Sequence, residues 1–410
     1  MLSLQPAARP VRDRGRIGLA VAGGGPLGAI YELGTLHALD EALEGVDFTD
    51  LHAYVGVSSG AIIASSLANG ISTPEMGRIF INSNAPDLPL TPEMFLQPAF
   101  SEFWKRATTL PGIALASLLE TLKNPFTRRL AEALNPLTAV VPTGIFRGEA
   151  IHEFLERAFS APGRSNDFRD LRNRLLVVAT DLNTGKAQRF GAPGHDRVPI
   201  SRAVQASASL PGLFPPTEID KNSYVDGALR RTMHASLALD EGCTLMFCVN
   251  PLVPYTSGES GNGVVTRHNL KDGGLPLVLS QTFRALIHSR MQVGMQQYRH
   301  SYPRADVLLL EPDRDDDVMF FTNVFSYSDR RRMVEHAYQR TREDLLRQAD
   351  SLAPVFARHG VTLNIDVLQD PRRNFQTAVE RLGARERRPA ICNRLDDTLD
   401  ELQRIIDAAA

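Results

Sequence analysis

A serine set between glycines, Gly56-Val57-Ser58-Ser59-Gly60, constrains this chain more than any other feature. The residues ahead of it, Ala53 to Val57, are apolar and suit a buried strand. Ala61 to Ala68 continues as a small-residue helix. A G-x-S-x-G sequence between strand and helix is a sharp turn that leaves the serine hydroxyl exposed at the strand's carboxyl end. Gly56 and Gly60 permit that turn, because a Cβ there would crowd the strained backbone. A strand, a sharp turn and a helix in this order also select a layered α/β fold.

Two further segments complete a chemical set. Gly23-Gly24-Gly25-Pro26-Leu27-Gly28 follows a short buried strand at 17–22. It opens a helix marked by Ile30, Leu33, Leu36, Leu39 and Leu43, spaced as on one face of an amphipathic helix. Free N–H groups at a helix start suit a developing oxyanion, so Gly23, Gly24 and Gly25 are candidate donors. The third segment is Asp226-Gly227. A serine hydroxyl is a weak nucleophile and needs a base within hydrogen-bond reach. An ordinary Asp, with a pKa of about 3.9, is a poor one. Burial beneath Leu213-Phe214 is expected to raise the value for Asp226.

Glycine loop, serine turn and late Asp-Gly, in that order, resemble the patatin-like phospholipase family. Ala179-Thr180-Asp181-Leu182-Asn183-Thr184-Gly185 and Ala206-Ser207-Ala208-Ser209-Leu210-Pro211 also resemble it, and the likeness spans roughly residues 16 to 235. The resemblance implies a lipid acyl hydrolase that uses a Ser-Asp dyad without histidine. It implies Ser58 as nucleophile and Asp226 as base. It also implies Gly23, Gly24 and Gly25 as oxyanion hole, with Gly28, Gly56, Gly60 and Gly227 supporting the motifs. No cofactor is implied. The chain departs from the family at Leu27, where Arg or Lys is usual, and at Asp226-Gly227-Ala228, where Asp-Gly-Gly is usual.

Further apolar runs at Leu175–Ala179, Thr244–Val249 and Val307–Leu310 read as strands. Helices are expected at about 281–299 and 329–350, and a Gly/Ser/Asn-rich loop at 255–274. The expected architecture is α/β, a largely parallel central sheet flanked by helices, with functional loops beyond the strands' carboxyl ends. The expected organisation is a disordered arm at 1–15, a catalytic domain at 16–350 and a helical extension at 351–410. Between about 82 and 143 prolines recur among Phe95, Phe100, Phe103, Trp104, Leu115, Leu118 and Leu122. This segment reads as a helical insertion, either a lipid-entry lid touching a membrane through residues 95–122 or a packed cap. Leu395, Leu399, Leu402 and Ile406 form a stripe on a final helix, read as docking on the main domain ahead of dimerisation.

Composition excludes several other classes. A formal charge of −2 gives no case for nucleic acid. No stretch reaches the roughly 18 apolar residues of a spanning helix, and the first sixteen residues lack the apolar core of a secretory signal. Cys243, Cys248 and Cys392 lack metal-ligand spacing, so a cytoplasmic location is the expectation. Asp313-Arg314-Asp315-Asp316-Asp317 lacks the spacing of a calcium loop, and no metal is expected.

Three alternatives stay open at this level. A Ser-His-Asp triad would recruit His234, His268, His288 or His300. A dinucleotide-binding protein would use Gly23, Gly25 and Gly28 as G-x-G-x-x-G, with Asp47 or Asp50 on a ribose. A non-catalytic lipid-binding relative would be expected to have lost Ser58 or Asp226, and both are present.

Overall fold

The computed structural model describes residues 1–9, 15–81, 143–256, 270–321 and 327–386. Their strands are β1 (Leu2–Gln5), β2 (Arg16–Val21), β3 (Leu43–Glu44), β4 (Ala53–Val57), β5 (Arg174–Asp181) and β6 (Ala187–Phe190). β7 (Thr217–Ile219), β8 (Asn222–Asp226), β9 (Cys243–Val249), β10 (Asp306–Leu310) and β11 (Thr362–Leu363) follow. The main sheet runs β1-β10-β9-β2-β4-β5-β8-β7, with β6 also on β5. β10, β9, β2, β4 and β5 pair in parallel. These five are the apolar runs expected as buried strands, and they read as near-continuous hydrophobic because helices cover both faces.

Helices make the outer layers of this α/β three-layer fold. One face packs α1 (Gly25–Ala42), α2 (Ser59–Ala68), the helix Ile200–Ser207 and the helix Tyr327–Arg347. The other packs the helix Ser236–Asp240 and the long helix Gly274–Ser301. Leu33, Leu36 and Leu39 of α1 are all but inaccessible, and burial of each is worth about 1.5–3 kcal/mol. α1 is not the amphipathic surface helix that its leucine spacing suggests. It is buried on nearly all sides, because Tyr327–Arg347 lies across it at Gly34. A Cβ on Gly34 would stand 2.6 Å from the Val334 carbonyl oxygen, so only glycine lets the two backbones approach.

Two boundary expectations are corrected. Residues 2–5 of the supposed disordered arm form β1, antiparallel to β10, because Leu2 and Leu4 alternate into the core while the backbone finishes an open sheet edge. The supposed extension after 350 is, as far as it is described, part of the main body. β11 pairs with β3, and Leu352, Phe356, Val361, Leu363, Leu368 and Phe375 join the principal core. The helix expected from 281 already starts at Gly274, shortening the expected loop. The insertion at 82–143, with its aromatic residues, and the stripe at Leu395–Ile406 lie outside the described residues, apart from Thr143.

Candidate active site

Register brings together residues far apart in sequence. β4 lies along the first half of β5, with Val57 opposite Val178. β8 runs the other way along the end of β5, with Asp226 opposite Ala179. Two strands thus meet end to end against one neighbour, and Ser58 and Asp226 are the residues at that meeting point. Ser58 Oγ donates to Asp226 Oδ2 at 2.6 Å, across 168 positions of chain. Neither β8 nor its hairpin partner β7 was anticipated from the sequence.

The serine turn is strained, as the glycine spacing requires. Ser58 has φ 52° and ψ −124° and is one of two described non-glycine residues with positive φ, the other being Asp220. Such a backbone costs on the order of 1–3 kcal/mol and persists only when its surroundings hold it. Added Cβ atoms at Gly56, Gly60 and Gly227 would each meet backbone within 2.4 Å. Ser59, the next residue, donates from Oγ to Glu32 Oε1 at 3.3 Å. Glu32 is fully buried on α1, and burial pushes its carboxyl well above the usual range.

The segment around Ser207, recognised only as a supporting motif, holds both partners. Ser207 Oγ accepts the Ser58 N–H at 2.8 Å and donates to the Val178 carbonyl at 2.6 Å. The Ser209 carbonyl accepts the Asp226 N–H at 3.0 Å. Long-range pairing of this kind leaves no local sequence signal. Ser207→Ala would orphan a buried N–H, a loss of about 1–3 kcal/mol. The expected outcome is a lower denaturant midpoint together with reduced ester turnover at little-changed KM. Ser207→Thr, which keeps the hydroxyl, should recover much of both.

Asp226 is 2% exposed. Burial pushes its carboxyl up to about 6, while the hydrogen bonds from Ser58 and from the Ala228 N–H to Oδ1, at 2.8 Å, pull the other way. The glycine loop borders this pair. A Cβ on Gly23 would come 2.8 Å from Ser58 Cβ and 3.5 Å from its Oγ. Gly24 caps α1, and Gly25 takes φ +62°, a conformation costly for other residues. The Gly28 N–H bonds back to the Gly24 carbonyl. Among the described residues no acceptor engages the N–H groups of Gly23, Gly24 or Gly25. Hydroxyl, raised carboxylate and unengaged donors at a helix N-terminus are the parts that acyl transfer needs.

The alternatives meet specific obstacles. Among the described residues no histidine bonds to Ser58 or Asp226, and both carboxylate oxygens are already engaged. His234 is buried, with its pKa lowered to about 3 by burial and by neighbouring arginines. His288 contacts Gln292 and Arg314, and His268 lies outside the described residues. Asp47 and Asp50 precede β4, at the amino end of the parallel strands, whereas the glycine loop follows the carboxyl end of β2. A ribose seated on the loop would be roughly a strand length, about 17 Å, away from them. In the acidic turn, Asp313 pairs with Arg340, Asp316 with His336, and Asp317 accepts from Tyr255.

Residues 19–239, more than half the chain, match the family model described as Patatin-like phospholipase. The chain belongs to the patatin-like phospholipase family. The match takes in the glycine loop, Ser58 and Asp226, and membership makes lipid acyl hydrolysis the general activity class. Among solved structures, this patatin-like chain is similar to VipD from Legionella pneumophila, at 14% identity and a TM-score of 0.34, covering 100% of this chain and 91% of that one. It is also similar to ExoU in its complex with SpcU from Pseudomonas aeruginosa, at 15% identity and a TM-score of 0.27, covering 93% and 69%. No helix among the described residues of this patatin-like protein is long and apolar enough to cross a membrane.

Proposed function

We propose that this chain is a serine acyl hydrolase that cleaves carboxylic esters of phospholipids or related acyl lipids through a Ser58–Asp226 dyad. The observation that carries the reading is the 2.6 Å hydrogen bond from Ser58 Oγ to Asp226 Oδ2 on a strained turn. Asp226 takes the hydroxyl proton as Ser58 Oγ attacks the ester carbonyl carbon. The carbonyl oxygen gains the negative charge, and the N–H groups of Gly24 and Gly25, with Gly23, stabilise it at the start of α1. Collapse breaks the bond to the alcohol, which leaves with the proton returned from Asp226. Water then gives a proton to Asp226 as it attacks the acyl carbon, and Asp226 returns that proton to Ser58 Oγ as the bond to the fatty acid breaks.

A carboxyl raised to about 6 suits this role, since it is charged at neutral pH yet basic enough to accept a proton in the transition state. The sign of the pH dependence follows. Below about pH 6 Asp226 is protonated and cannot act as base, so kcat/KM should fall as pH drops through 6 and level off above 7. Fluorophosphonate labelling of Ser58 should follow the same curve, read by peptide mass. Labelling at a different serine, or a profile flat from pH 5 to 8, would remove the dyad from the mechanism. A panel of phospholipids and simpler acyl esters then reads the substrate class.

A further inference from the structure

The long helix Gly274–Ser301 carries a surface that the chemistry at Ser58 does not use. Along its exposed side, Leu279, Phe283, Leu286, Arg290 and Val293 follow one another at intervals of three and four. Leu279, Phe283, Leu286 and Val293 are 45–66% exposed, and Val278 beside them is 42% exposed. Single exposed apolar residues are ordinary, but five on about four turns of one helix are not. The helix contains no acidic residue and three arginines, Arg284, Arg290 and Arg299.

The stripe lies at the carboxyl end of the parallel strands, the end that also carries Ser58. Gln281 bonds to the backbone of Tyr255 and Arg284 to the Val253 carbonyl, and both segments follow the carboxyl end of β9. The same helix reaches the turn after Asp226, where Arg290 donates to the Leu229 carbonyl at 3.2 Å. Arg230 and Arg231 come next in that turn, and both are exposed. Among the described residues no carboxylate pairs with Arg189, Arg230, Arg231 or Arg290. The first three stand close enough to His234 to help hold it neutral. Apolar stripe and unneutralised arginines thus adjoin, beginning four residues beyond Asp226, while no cation stands in the glycine loop, where Leu27 sits.

We propose that the stripe Leu279–Val293 and the arginine turn Arg230–Arg231 form one docking face for a lipid bilayer surface containing anionic phospholipid. The apolar side chains would enter the boundary between headgroups and acyl chains while the arginines meet lipid phosphates and carboxylates. The face would bring the mouth at Ser58 onto its substrate without a spanning helix. This rests on the lipid-ester reading of that site.

The test uses the full chain, sedimented with phosphatidylcholine vesicles or with mixed phosphatidylcholine–phosphatidylserine vesicles. Wild type should prefer the mixed vesicles, and the preference should weaken with salt. Arg230→Gln with Arg231→Gln should lower partitioning by about fivefold per arginine removed. Leu279→Ser, Phe283→Ser and Leu286→Ser together should abolish it. Both variants should keep their melting temperature and their turnover of a short dissolved ester, because the changed side chains are exposed. Should the triple variant fail to fold, the arginine pair still decides. Wild type that ignores mixed vesicles, or an arginine variant that binds them as wild type does, would overturn the proposal. So would a wild-type dimer that the triple variant splits while vesicle binding is unchanged. Ser58→Ala should still bind vesicles. If it also keeps ester turnover, the dyad has failed and the docking face has not.

Discussion

Replacing Ser58 with alanine should lower ester turnover by roughly 10³-fold or more, the scale on which a covalent nucleophile is lost. The fold should tolerate the change, because alanine occupies the same strained backbone at φ 52° and the Ser207 hydroxyl still receives its N–H. Asp226 would lose the hydrogen bond that favours its charged form and become harder to ionise. Stopped-assay turnover with a chromogenic ester, beside circular dichroism and melting temperature, measures both halves of the prediction. Turnover within tenfold of wild type in a folded Ser58→Ala protein would reassign the nucleophile.

Asp226→Asn should be almost as damaging to turnover, since an amide cannot accept the serine proton, yet it should make the protein more stable. The carboxyl sits at about 6 in the folded chain against an ordinary 3.8. A raised acid binds its proton more tightly when folded, so its contribution is intact below pH 4 and is lost as pH rises through 6. Above that the buried charge costs about 3 kcal/mol, taking 1.36 kcal/mol per pKa unit. Asparagine avoids that cost and can still accept from Ala228 while donating to Ser58 Oγ. Denaturant melts should show Asp226→Asn ahead of wild type at pH 8 and level with it near pH 4. An active asparagine variant would end the role of Asp226 as base, and equal stability at pH 8 would end the account of its burial.

What could be read from the sequence was what is local or periodic. The turn at Ser58 is written within five residues, and the five parallel strands are apolar runs with little competing signal. The family resemblance ran from 16 to 235, and the match at 19–239 agrees with it. β7 and β8 carry little local signal because they are three and five residues long and include Asn222 and Asp226, residues poor in strand propensity. The burial of α1 was illegible for a different reason. The face that carries Gly34, Thr35 and His37 is covered by Tyr327–Arg347, some three hundred residues later, and no window around those residues contains that helix. β1 was missed because a short strand at a chain terminus gains its order only from the edge it joins.

The end-to-end meeting of β4 and β8 on β5 sets an order in time. Ser58 is synthesised 168 residues ahead of Asp226, a lag of roughly 10–30 s at about 5–20 residues per second. Under the proposed dyad, a nascent chain through that interval bears a hydroxyl with no base to activate it. Nor can the first half fold into an active fragment, because the strand that delivers Asp226 enters from the opposite direction and after β5. For a protein that attacks lipid esters, the ribosome is thus the first safeguard. The proposed pair comes into being only once β1 to β8 have left the exit tunnel, with β9 and β10 still to be added to the sheet.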